Sequence, residues 1–210
     1  MKSGRLPATQ LPLRDTQMLR NVVFAACFLL VASWTLAQDF VYRDEAQKVA
    51  GELVQQLGAA LRKAMADSGP EGAISVCRDL APQLAGELSR RTGWRVARVS
   101  LKVRNPMLGA PDPWEQDMLE GFDAAVESGA RPEQLEIAEI VDEPQGSYFR
   151  YLKALPVQPL CLTCHGSAQT IPPSVQARLT AEYPHDQAVG YKLGQIRGAV
   201  TIKRALDSEN

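Results

Sequence analysis

The residues Cys161-Leu162-Thr163-Cys164-His165 constrain this chain more than any other stretch. C-x-x-C-H is the spacing at which two thiols lie along one edge of a haem and add across its vinyl groups, leaving the adjacent imidazole to reach the iron. Two other chemistries use a C-x-x-C pair. A structural zinc site needs a second pair of ligands, and Cys77 and His185, which remain to supply it, match no common zinc spacing. A thiol–disulfide exchanger wants the pair opening a helix after a parallel strand, whereas here Pro159 precedes it and Gly166 follows the histidine. The expectation is one covalent haem c, bound through Cys161, Cys164 and His165. A chain of 210 residues is large enough to bury a pocket for it.

Cysteine use and the N-terminus agree with that chemistry. Lys2, Arg5, Arg14 and Arg20 face a single acid, Asp15, and an uncharged apolar run follows from Asn21 to Ala37. This order reads as an export signal. The run is long for a signal h-region and short for a membrane span, so cleavage after Thr35-Leu36-Ala37 and retention as a tether through residues 21–37 both stay open. Cys27 belongs to this segment; Phe24 stands where a lipidation motif prefers Leu or Val. The expected organisation is therefore a signal peptide or anchor over 1–37 and one domain over 38–210, placed in the periplasm. Three cysteines remain, Cys77, Cys161 and Cys164, an odd number that cannot all close into intramolecular disulfides. Without the four basic and one acidic residue of the leader, the net charge moves from -1 to -4. No basic stripe remains to neutralise phosphates, so nucleic acid is not an expected partner.

The rest of the chain has the 45% hydrophobic and 22% charged content of a globular protein. Val49, Leu53, Leu57, Ala60, Leu61 and Ala64 recur at helical spacing between Phe40 and Ala66, and Ser68-Gly69-Pro70 breaks the pattern. A second helix from about Pro70 to Gly93 carries Ile74, Cys77, Leu80, Ala81, Leu84 and Leu88 on one face. Alternation from Trp94 to Val103 predicts a strand, and a Pro- and Gly-rich loop follows. Asp112-Pro113-Trp114-Glu115 opens a helix to about Ser128, with Glu115 as its capping residue. Leu135–Val141 and Ser147–Leu155 read as a hairpin around Glu143-Pro144-Gln145-Gly146. A short helix over Ser174–Glu182 and a last strand over Gly194–Arg204 complete an α+β domain with an antiparallel sheet.

His165 fills one axial position of the iron, and the other decides what the protein does. Cys77, His185, Met107 and Met118 are the candidates, and an empty position is a further alternative. Cys77 is equally readable as a buried hydrophobe on its helix. His185 follows Tyr183-Pro184 in a polar turn.

The chain resembles the Tll-type family of single-haem c-type cytochromes with a PAS-like fold. The resemblance spans about Val49 to Ala205 and rests on Ala73-Ile74-Ser75-Val76-Cys77, the Arg98–Pro106 stretch with its Arg104-Asn105-Pro106, Pro111–Glu115 and the haem motif. It continues through Tyr183-Pro184, Asp186-Gln187-Ala188, Gly190-Tyr191 and Gly194–Ala199. It implies a PAS-like antiparallel sheet flanked by helices, with His165 as proximal ligand and Cys77 as distal ligand. Family members resemble sensory input domains when fused to signalling modules, and no such module is recognisable in this chain. Arg98, Arg104 and Arg197 are candidates to pair with haem propionates, since guanidinium forks match carboxylates; the alternative is solvated strand charge. Trp94, Tyr148 and Phe149 either wall the pocket or belong to the core.

The expected function is electron transfer with a redox partner protein, or redox sensing, through a His/Cys-ligated haem. The alternative is a sensor of a small gas ligand. A peroxidase-like enzyme would need an open distal position and a nearby acid–base group, for which the sequence offers only His185, so the chain is not expected to be an enzyme.

Overall fold

The computed structural model describes the backbone of residues 14–206 and the side chains of residues 41–206. The leader expected at 1–37 lies outside the described side chains. Among the described residues no helix is long and apolar enough to cross a membrane. The chain divides between Val41 and Tyr42, and the unit that begins at Tyr42 carries the sheet and the haem motif.

Helix α1 (Arg14–Ser75) is interrupted at Gly69, whose φ of 69° is a left-handed conformation that an L side chain resists. Pro70, at the first position after the break, restarts the helix where its missing N–H costs nothing. The expected second helix is interrupted: Val76–Leu80 winds as a π-helical turn before α2 (Ala81–Thr92), which ends on left-handed Gly93. Cys77 sits in that widened turn, a local expansion that often marks functional positions.

Strands β1 (Arg95–Val99), β2 (Glu136–Glu143), β3 (Gly146–Pro156) and β4 (Ile196–Ala205) form one antiparallel sheet in the order β1-β4-β3-β2. The β2–β3 hairpin turns at Pro144-Gln145 as expected, with Glu143 opposite Gly146. Strand β1 stops four residues before the predicted end at Val103. The Ser100 N–H donates to the Gly109 carbonyl at 3.1 Å, and its hydroxyl bonds to the carbonyls of Lys102 and Arg197, which turns the chain out of the ladder. Helices α3 (Pro106–Gly109) and α4 (Pro113–Glu127) fill the connection to β2.

The period-2 alternation of the strands divides the core into two layers. Val96, Phe149, Tyr151, Val200 and Ile202 pack on one side against Ala46, Val49 and Leu53 of α1 and Leu88 of α2. Val99, Leu152, Ala154 and Ala199 pack on the other against Leu119 and Phe122 of α4. The result is an α+β domain whose sheet is covered by helices on both faces. Trp94 meets Tyr42 edge-on and Phe149 is tilted against both rings inside the first layer, so both are core residues there. Tyr148 lies half-buried beneath Lys203.

The Asp112–Glu115 capping box forms as read: the Asp112 carboxylate accepts from the Glu115 N–H, and Glu115 accepts from the Asp112 N–H, both at 2.9 Å. Glu115 does more than cap. Its other oxygen, fully buried, receives the Thr201 hydroxyl at 2.7 Å, Arg95 at 3.1 Å and Arg150 at 3.2 Å, tying α4 to three strands.

Candidate haem-attachment site

Strand β3 ends at Pro156, which has no N–H to extend the ladder, and the chain runs directly into the motif. A 3-10 turn (Pro159–Cys161) leads into the single helical turn α5 (Leu162–His165). Cys161 ends the 3-10 turn and Cys164 lies on α5, three positions on, the spacing at which side chains of a helical stretch are neighbours. Cys161 packs beside Val157, Ala188 and Tyr191, and Cys164 beside Ile74, Ile171, Val175, Leu179 and Tyr183. The latter cluster brings in helix α6 (Pro173–Glu182). Gly166 closes the turn under a tight constraint: a Cβ there would lie 2.6 Å from the Leu162 carbonyl oxygen.

The segment 186–191 wraps this turn. Tyr191 N–H donates to the His165 carbonyl at 2.9 Å, and Gly190 N–H to the Gly166 carbonyl at 2.7 Å. The Asp186 carboxylate caps the Ala188 N–H at 2.7 Å and accepts from Arg104 Nε at 2.9 Å. Arg104, buried, also donates from Nη2 to the Cys164 carbonyl at 2.6 Å and to the Ala188 carbonyl at 3.3 Å. Two of its three nitrogens thus fasten the motif to its wrapping loop.

The orientation of His165 follows from these contacts. Its Nδ1 stands 2.7 Å from the Ala188 carbonyl oxygen, which can only accept, so Nδ1 carries the proton and Nε2 presents a lone pair. Burial, and then the charges of Arg197 and Arg104, hold the imidazole well below the usual histidine range, in the neutral form a metal requires. Burial likewise pushes the Cys164 thiol up. Cys77, Cys161 and Cys164 are all half-buried and free of disulfides. Cys77 lies close to both Cys164 and Tyr183.

The other candidates are placed elsewhere. His185 is exposed in the turn after Tyr183-Pro184, Met107 is 89% exposed on α3, and Met118 packs in the α4 layer. Among the three arginines, Arg98 is half-buried on β1, and its charge bears on His165 without a side-chain hydrogen bond among the described residues. Arg197 lies against the His165 ring, with Nε 3.2 Å from Nδ1 and 3.3 Å from Nε2. Tyr191 stands edge-on to the imidazole with ring centres 6.2 Å apart. It also lines a cleft of about 230 Å³ between the sheet and α4.

Among the described residues, no three His, Cys, Asp or Glu side chains converge as a protein-only metal cluster. The donor set suits a metal carried in a macrocycle, which needs only axial ligands from the protein. The sequence reading missed the Ala188 carbonyl and the clamping role of Arg104 and Asp186. A backbone acceptor has no signature in residue type, and the resemblance named Asp186-Gln187-Ala188 without giving it a task.

Residues 37–204 match the Tll0287-like family. The chain belongs to that family. Its fold is similar to that in the crystal structure of the cyanobacterial heme-protein Tll0287, with a TM-score of 0.60 and 24% identity over 79% of this chain and 96% of the other. No curated protein matches the chain. Family and fold therefore agree with the resemblance read from the motifs, including the antiparallel sheet flanked by helices.

Proposed function

We propose that this member of the Tll0287-like family binds one haem, covalently through Cys161 and Cys164, with His165 as proximal and Cys77 as distal ligand. In this reading it is an exported, periplasmic monohaem c-type cytochrome that passes single electrons to a redox partner or reports redox state, and is not an enzyme. The observation that carries it is the His165 imidazole, locked by the Ala188 carbonyl so that Nε2 is the unprotonated nitrogen, directly after Cys164 and four residues after Cys161. Such a second-shell bond fixes the ring of a metal-ligating histidine. That the structurally similar Tll0287 is a heme-protein supports the same cofactor.

Bound there, haem supplies a one-electron couple whose potential its ligands and surroundings set. The protein's part is to hold and shield. Arg104 and Asp186 keep the wrapping loop on the motif, and the clusters around Ile74 and Val157 line the thiols with apolar surface. Arg98 is the arginine best free to meet a propionate. The exposure of His185 favours electron transfer over peroxidase chemistry, which needs an acid–base group at the distal side.

Optical titration of the purified holoprotein tests the reading. Electron transfer or redox sensing predicts a low-spin spectrum in both oxidation states, a reversible one-electron titration, and no change when carbon monoxide is added after reduction. Immediate carbon monoxide binding would favour the gas sensor instead, and absence of a haem spectrum would overturn both.

A further inference from the structure

We infer that Arg197 is a positioning residue for the proximal ligand, a cation fixed on the face of the His165 ring that raises the reduction potential of the site. This rests on the haem reading above. The near-equal distances from Arg197 Nε to Nδ1 and Nε2, 3.2 and 3.3 Å, define where the guanidinium lies. A nitrogen equidistant from both and in the ring plane would overlap Cε1, so Nε lies over the face. In-plane donation to Nδ1 is also closed, because the Nδ1 proton is given to Ala188. The contact is thus an N–H and a positive charge directed at the π-system.

The guanidinium is held there from several sides. Nη1 donates to the Ser100 hydroxyl at 2.7 Å and to the Lys102 carbonyl at 3.3 Å. The guanidinium carbon lies 5.5 Å from the centre of the Tyr191 ring, which itself stands edge-on to His165. Ser100 is buried where β1 terminates, so the early end of that strand builds the anchor.

Two opposed influences then act on one imidazole. The Ala188 carbonyl pulls on the Nδ1 proton and makes Nε2 a stronger donor, which favours the oxidised iron. Arg197 withdraws density through the ring face, and its fixed charge favours the reduced state, which carries one positive charge less. It therefore offsets the electron-rich ligation that a Cys77 thiolate would impose.

Potentiometric titration of holoprotein variants decides the matter. Arg197→Gln is expected to lower the midpoint potential while the spectrum stays low-spin, and Arg197→Lys to lie between it and the unsubstituted protein. Ser100→Ala, which loosens the anchor and keeps the charge, is expected to shift the potential the same way by less. Arg131→Gln removes an equal charge from an exposed turn and should leave the potential unchanged. An unshifted potential in Arg197→Gln, or an equal fall in Arg131→Gln, overturns the assignment. Should Arg197→Gln fail to fold, an unshifted Ser100→Ala overturns it alone. A haem-free unsubstituted protein would instead defeat the haem reading on which it stands.

Discussion

Replacing Glu115 with alanine should destabilise the domain by about 3 to 5 kcal/mol, the usual cost of removing one partner from a buried ion pair. Its carboxylate is fully buried and carries four contacts: the Asp112 N–H, the Thr201 hydroxyl, and the guanidinium groups of Arg95 and Arg150. Arg150 is 2% exposed and would keep Asp112 and Glu143, but its buried Nε already lacks a partner, so the site has no spare acceptor. The N-terminus of α4 would lose half of its capping box at the same time. Against a typical total of roughly 5 to 15 kcal/mol this is a large fraction. The melting temperature should fall by roughly 6 to 20 °C for a domain of this size. Glu115→Gln keeps the shape and the Thr201 acceptor and should cost less than half as much. Equal losses in the two variants would show that charge is not what holds the network.

Replacing Cys77 with alanine in the holoprotein should convert the iron from low to high spin and open it to carbon monoxide after reduction. Alanine offers no donor, and the alternatives do not lie ready to substitute: His185 is exposed in its turn, Met107 is exposed on α3, and Met118, on α4, packs against the core layer between that helix and the sheet. The fold should survive, because the half-buried sulfur is a small volume and the π-helical turn is held by flanking α1 and α2. Loss of one buried atom of this size costs on the order of 1 kcal/mol. A thiolate donor also stabilises ferric iron, so the potential should rise in this variant, opposite to the shift expected on removing Arg197. Ferric electron paramagnetic resonance separates the two spin states, and an unchanged low-spin signal would contradict Cys77 as ligand.

Much of this architecture was legible because its signals are local. The break at Ser68-Gly69-Pro70, the Asp112–Glu115 cap and the Glu143–Gly146 hairpin each follow from backbone preferences of a few adjacent residues. The C-x-x-C-H motif was legible for the same reason, since it is contiguous. What escaped depends on residues far apart in the chain. Glu115 meets Thr201 across 86 positions, and Ser100 ends β1 through Arg197 across 97. The π-helical widening at Cys77 has no periodic signature, since the apolar stripe through Ile74, Leu80 and Leu84 reads as one regular helix. Arg104 looked like a propionate partner because a guanidinium fork matches a carboxylate; its commitment to Asp186 and the Cys164 carbonyl exists only once the wrapping loop is in place.

Covalent haem binding requires both motif thiols to be bonded to one porphyrin. The intact mass of mature protein, made in cells with active haem-attachment machinery and denatured in acid and organic solvent, tests this most directly. A chain heavier by one haem is expected, with the adduct absent when Cys161 and Cys164 are both replaced by serine. An unmodified mass in the unsubstituted protein would contradict it.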